Sequence, residues 1–200
     1  MKYTVFFIFL ISVAFAAAKK EDAYHIKDVQ SLERVEELAR NGDITACVRT
    51  AEFYLFGPYN LQDTQKALVY LRKAYQRYNL EAIEIMAGVY LNGRGIDKDT
   101  KMAERLYLVG AQAGNGPCQF NLGILYKNGD PDVPQNFEKA YFWLHKAATN
   151  PSLGPLMVDA ATYRNEIALH IDPKVREKMI DEVRYENHRD GVEVPEGVTD

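Results

Sequence analysis

Residues able to do chemistry are sparse in this 200-residue chain, and their spacing matches no catalytic pattern. Beyond residue 18 there are two serines, Ser31 and Ser152. Ser31 opens a helix and reads as an N-cap or its neighbour. Ser152 lies in Pro151-Ser152-Leu153-Gly154, without the leading glycine of a nucleophile elbow, and neither serine has a lysine three residues on. His25, His145, His170 and His188 are scattered, no two at metal-ligand spacing on one helix, and His145 reads as a surface residue. Asn128, Asp130 and Asp132 alternate like the start of a calcium loop. That loop requires glycine where Val133 stands and glutamate where Lys139 stands, so the segment reads as a turn stiffened by Pro131 and Pro134. Acids are numerous, yet none is singled out as a glycoside-hydrolysing pair. No catalytic residue, metal or cofactor is expected.

The first 18 residues stand apart. Lys2 precedes a short apolar run, small residues follow at Ala14, Ala16 and Ala18, and Lys19-Lys20 come next. This is the form of a cleaved secretory signal, with cleavage expected after Ala18 and a periplasmic or secreted mature protein. No later stretch is apolar enough to suggest membrane insertion. Cleavage removes one of 24 basic residues and none of 28 acidic ones. The resulting acidic chain suits a neutral or basic protein partner and is a poor match for nucleic acid.

The elements that position these residues follow a period. Tyr54, Tyr90 and Tyr126 are spaced by 36, each followed three residues later by Gly57, Gly93 or Gly129. Ala46, Ala82 and Cys118 keep the same step, as do Ala51, Ala87 and Gly123. A fixed period of this size signals one supersecondary unit copied and stacked. In the second copy an apolar stripe over residues 80–91 is broken by Asn92-Gly93-Arg94-Gly95, and Asp99 caps a second helix over 100–113. The third copy runs over 118–127 and 136–148. The first is degenerate, with Pro58-Tyr59-Asn60 in place of the Gly-x-Gly turn. Residues 29–40 form a helix covering one end. Residues 156–170 form a fourth first-helix, and Asp172-Pro173 opens a charged capping helix to about residue 189. The expected organisation is a signal peptide over 1–18, an N-terminal cap over 19–42, three repeats over 43–150, a partial repeat and cap over 151–190, and a flexible tail over 191–200. Cys47 and Cys118 sit two repeats apart, and packed helices advance by roughly 10 Å. No internal disulfide is therefore expected, and Cys118 reads as a buried thiol.

The pattern Ala-x-x-x-x-small-x-x-Tyr-x-x-Gly-x-Gly-x-x-x-Asp, followed by Lys-x-Ala-x-x-Trp/Tyr-x-x-Lys-Ala-Ala, resembles the Sel1-like repeat, a relative of the tetratricopeptide repeat. Residues 118–129 and 138–148 are its best copies. The resemblance implies an all-α, right-handed superhelical solenoid of stacked antiparallel helix pairs, about three and a half repeats with terminal caps. It also implies non-catalytic protein binding, most concretely immunity to or inhibition of a periplasm-acting effector such as a type VI secretion lipase. An envelope regulator or assembly adaptor is a rival, and a cell-wall or β-lactam-acting enzyme is another. A cysteine-rich branch linked to penicillin binding staples each helix pair with a disulfide, and this chain lacks those paired cysteines.

In tetratricopeptide-type stacks the first helices line the concave face, which marks Cys47, Arg49 and Glu52, then Ile83, Ile85 and Gly88, then Gln119, Asn121 and Ile124. Ile83 and Ile85 are apolar where the best copy carries Gln119 and Asn121, and exposed apolar residues among polar ones mark an interface. Alternatively Glu84, at the slot of Val48 and Phe120, signals a rotation that buries the isoleucines. Tyr59, Arg94 and Asp130, on altered turns, form a second candidate edge. Tyr90, Tyr126 and Trp143 read as packing residues rather than a ligand cage.

Overall fold

The computed structural model describes residues 24–189; the signal peptide expected over 1–18 and the flexible tail expected over 191–200 lie outside them. Among the described residues there are nine α-helices and two 3-10 turns. The helices are α1 (Val29–Arg40), α2 (Ile44–Phe56), α3 (Thr64–Tyr75), α4 (Leu80–Asn92), α5 (Thr100–Gln112), α6 (Gly116–Asn128), α7 (Phe137–Ala148), α8 (Met157–Ala168) and α9 (Pro173–Arg189). The 3-10 turns are Tyr59–Leu61 and Pro151–Leu156. The chain divides into two compact units, one ending at Ala82 and the other beginning at Ile83.

Every helix but α8, which runs on from the Pro151–Leu156 turn without a side-chain cap, begins where the sequence supplies an oxygen to hold its orphan N–H groups. Asp28 and Ser31 form a reciprocal capping box at the start of α1, which settles Ser31 as the neighbour of the cap. Asp63, Asp99 and Asn136 cap α3, α5 and α7 by accepting from the backbone of Lys66, Met102 and Lys139 at 2.8–2.9 Å. Their own N–H groups donate to the carbonyls of Tyr54, Tyr90 and Tyr126 at 2.8–2.9 Å. The repeated tyrosine therefore also marks where the inner turn is tied down.

The outer turns carry a second repeated device. The N–H groups of Asp43, Asn79 and Asn115 donate to the carbonyls of Leu38, Ala74 and Gly110 at 3.0–3.1 Å, closing the preceding helix in a Schellman motif. The side chains of those residues cap the following helix by accepting from Ala46, Ala82 and Cys118. One residue thus ends one helix and begins the next. The position just before it is left-handed each time: Gly42 at φ +93, Tyr78 at φ +55 and Gly114 at φ +82. Tyr78 is the only non-glycine with positive φ among the described residues. An L side chain there costs about 1–2 kcal/mol relative to the right-handed conformation.

In the first unit the core is Val35, Ala39, Val48, Ala51, Leu55, Leu68 and Leu71, all essentially inaccessible. Tyr54 is buried, and its hydroxyl donates to Glu36 Oε1 at 2.7 Å; Tyr70 reaches the same oxygen at 3.2 Å. In the second unit Leu122, Leu144, Tyr107 and Ile167 fill the centre. Burying each such leucine contributes about 1.5–3 kcal/mol. Glycines set how closely these helices approach. A Cβ at Gly110 would lie 2.4 Å from Cys118 Sγ, and one at Gly123 would lie 2.6 Å from Leu144 Cγ, both inside any real carbon contact. Tyr126 donates to Glu104 Oε1 at 2.6 Å, the counterpart of the Tyr54 bond in the first unit. Burial, reinforced by these carboxylates, pushes both phenols upward. Tyr126 and Trp143 are buried, as packing residues should be, and Tyr90 is half-buried.

Candidate partner-binding surfaces

In the first unit Arg49, on the exposed side of α2, is held by two carboxylates. It bonds Glu52 one turn on, and Glu81 Oε1 lies 2.9 Å from its Nη2. All three are half-buried, so the guanidinium is ordered and the cluster keeps an excess of one negative charge. Cys47, two residues before Arg49, does not join that face. It is fully buried, with its Sγ 3.6 Å from the Ala39 carbonyl, and burial pushes its thiol up. Tyr59 is 92% exposed on its 3-10 turn.

In the second unit two of the residues marked for the concave face are buried. Ile83 has no accessible area and packs near Gly110. Gln119 is 2% exposed; its Nε2 donates to the Ala111 carbonyl at 3.1 Å and its Oε1 accepts from Asn150 at 2.9 Å. Cys47, Ile83 and Gln119 share one repeat position, which faces inward in every copy. Ile83 is therefore buried by the repeat's own geometry, and no local rotation around Glu84 is needed to explain it. Glu84, Ile85 and Asn121 are half-buried. Arg94 is exposed on its turn. Asp130 is a structural turn residue whose carboxylate takes Lys98 Nζ at 2.5 Å, and that contact holds its pKa below the usual carboxylate range.

His145, expected on the surface, is buried beneath α8. Its Nδ1 lies 3.0 Å from Nη1 of the buried Arg164, so Nδ1 is the acceptor, and the Tyr141 ring stacks on it at 6.0 Å. Burial first, then the positive charges of Arg164 and Arg184, bring its pKa down to about 4. Arg164 also donates to Asn165 Oδ1 through Nε and Nη2. Ser152 Oγ accepts from the Gly116 backbone at 2.9 Å, tying the 3-10 turn to the start of α6. Cys118 is buried, and its thiol is pushed up to about 12.

The same unit has an open cavity of about 500 Å³ between α5, α6, α7 and α9, lined by Leu108, Tyr126, Phe142, Trp143 and Met179, with Glu138 and Glu182 beside them. Its walls suit an apolar or aromatic side chain. The protein's own lysines lie over these rings: Lys139 over Tyr126 at 4.9 Å, and Lys146, bonded to Glu186, over Phe142 and Trp143 at 5.8 Å. Sequence reasoning marked Tyr126 and Trp143 for packing only, because the contribution of Met179 from α9 has no local signature.

Antiparallel helix pairs with self-closed turns define an α-solenoid repeat protein of the protein-interaction class. The chain belongs to the Sel1 repeat family, whose pattern matches residues 44–79, 81–115 and 116–152. It is similar to a Sel1 repeat protein from Oxalobacter formigenes, with 29% identity and a TM-score of 0.56 over 62% of this chain and 92% of that one. It is also similar in fold to a protective antigen present in uropathogenic Escherichia coli strains that displays an SLR fold. There the identity is 22% and the TM-score 0.63, over 80% of this chain and 34% of that one, so the match spans about a third of that protein.

Proposed function

We propose that this protein is a non-catalytic, protein-binding scaffold of the bacterial periplasm, most concretely an immunity or inhibitor protein that holds a periplasm-acting effector such as a type VI secretion lipase. One observation carries the non-catalytic part: both serines, both thiols and the buried His145 are taken up in the packing and capping of helices. Ser152 receives a backbone N–H, His145 receives Arg164, Ser31 closes a capping box, and both thiols are buried. The leader pattern over 1–18 supports the periplasmic part, and membership of an interaction family supports binding. The effector-holding version rests on analogy with the family.

The test is to express the full chain with a C-terminal tag, fractionate the cells, sequence the mature N-terminus, and cross-link partners in the periplasmic extract. A periplasmic protein beginning at Lys19, cross-linked to an enzyme whose activity it blocks, supports the proposal. Cross-linking to a sensor or assembly component points instead to the adaptor reading. A chain that stays in the cytoplasm with residues 1–18 attached contradicts the periplasmic assignment. Turnover of muropeptides or a β-lactam that survives purification contradicts the non-catalytic one.

A further inference from the structure

We infer that the C-terminal end of α3 and the turn after it, presenting Arg72, Lys73, Tyr75, Arg77 and Tyr78, form a docking surface for an acidic segment of a partner protein. The inference rests on the protein-binding reading above, but on residues that reading does not use.

The argument begins with Tyr78. The turns at residues 42, 78 and 114 are the same backbone, closed by the same hydrogen bonds, and the flanking copies use glycine at the left-handed position. A bulky side chain in that conformation is a genuine outlier. Tyr78 does not offset the strain by packing, because it is 83% exposed. Nothing in the turn asks for a tyrosine, and strain held at an exposed position points to a role outside the fold.

The surroundings supply the partner's chemistry. From residue 64 to residue 80 the chain carries Lys66, Arg72, Lys73 and Arg77 and no acid, although acids outnumber bases in the whole chain. All four cations are exposed, and Lys73 Nζ sits 5.5 Å from the Tyr70 ring centroid. Arg72 and Lys73 also suit a helix C-terminus. That does not account for Arg77, which lies past the helix, and α5 ends without any base in its last turn. At the repeat positions of Arg72, Lys73, Tyr75, Arg77 and Tyr78 the next copy has Leu108, Val109, Ala111, Ala113 and Gly114. Exposed tyrosine with arginine is the composition of interface hot spots. A small basic island on an acidic chain is complementary to a short acidic peptide, whereas extended polyanions would meet the protein's net negative charge around it.

The test uses the full chain and three immobilised probes: short synthetic peptides rich in Asp and Glu with an aromatic residue, phosphatidylglycerol vesicles, and duplex DNA. The native chain should bind the acidic peptides in preference to their basic counterparts, to vesicles and to DNA. Tyr78→Gly should weaken that binding by about tenfold or more, the scale of a hot-spot tyrosine. Because it installs the residue both neighbouring turns already use, it should do so without lowering the melting temperature. The double variant Arg72→Glu/Arg77→Glu should abolish binding. Equal binding of acidic and basic peptides, native-like binding by Tyr78→Gly, or preference for vesicles or DNA would overturn the inference. A partner captured from periplasmic extract equally well by native and Tyr78→Gly chains would overturn this surface and leave the scaffold reading intact. Acidic-peptide binding by a chain that never leaves the cytoplasm would do the reverse to the periplasmic assignment.

Discussion

The turn after α3 and the turn after α5 share one backbone and differ in almost every side chain. Both are closed by the bond from an asparagine N–H to a carbonyl five residues back, and both use that asparagine to cap the next helix. In the second unit the turn is finished with Ala111, Ala113 and Gly114, the smallest residues that satisfy the geometry. In the first it carries Tyr75, Arg77 and Tyr78, which the geometry does not require and in one case resists. Repeat proteins separate the two jobs in this way. Periodic residues hold the stack, and departures from the period that stay exposed are free to meet something else.

The two units also solve their interiors differently, and that difference can be broken by experiment. The largest effect is expected from pH. His145 is buried as a neutral acceptor with a pKa near 4, against 6.5 in an unfolded chain. Between those values the unfolded state binds a proton that the native state refuses, so stability falls as pH is lowered through that window. The loss amounts to about 3 kcal/mol when complete. Urea unfolding at neutral pH and near pH 4.5, followed by the single tryptophan, Trp143 in the same unit, should show it, and His145→Gln should flatten the dependence. A native chain equally stable at both pH values would remove the buried-histidine account.

A volume exchange comes next. The first unit places Ala74 and Ala82 where the second places Gly110 and Cys118. Gly110→Ala alone drives a methyl into Cys118 Sγ and should cost about 1–3 kcal/mol. Gly110→Ala with Cys118→Ala recreates the first unit's pair and should recover most of that loss. A double variant no better than the single would mean that the sulfur is not the obstacle.

The tyrosine bonds give a smaller contrast. Tyr126→Phe deprives Glu104 of a charge-assisted bond and should cost about 1.5 kcal/mol by chemical denaturation. Tyr54→Phe should cost less, because Tyr70 still reaches Glu36. Equal losses would deny Tyr70 a share in that bond.

Much of this architecture is legible in the sequence, for a physical reason. The 36-residue step fixes one left-handed turn, one capping side chain and one tyrosine per unit, and each is a local requirement. The inward position shared by Cys47, Ile83 and Gln119 is harder to see. A thiol, an alkyl chain and an amide have little in common, and Gln119 is buried only because Ala111 and Asn150 satisfy it. His145 aligns with Arg72 and Leu108, a mixture that suggests surface, and is covered only by a helix from further along the chain. Tyr78 could have been found by extending the period to Gly42 and Gly114. It passes unnoticed because a tyrosine among tyrosines draws no attention until its φ is known.

The most direct test of the central idea, that Tyr78 is foreign to the fold and there for something else, is the equilibrium stability of Tyr78→Gly beside Gly114→Tyr, measured by urea unfolding with circular dichroism. Tyr78→Gly should raise stability by about 1 kcal/mol, and Gly114→Tyr should lower it by a similar amount. A Tyr78→Gly protein less stable than the native one would mean that the tyrosine serves the fold after all, and the separation of scaffold from surface would not hold at this turn.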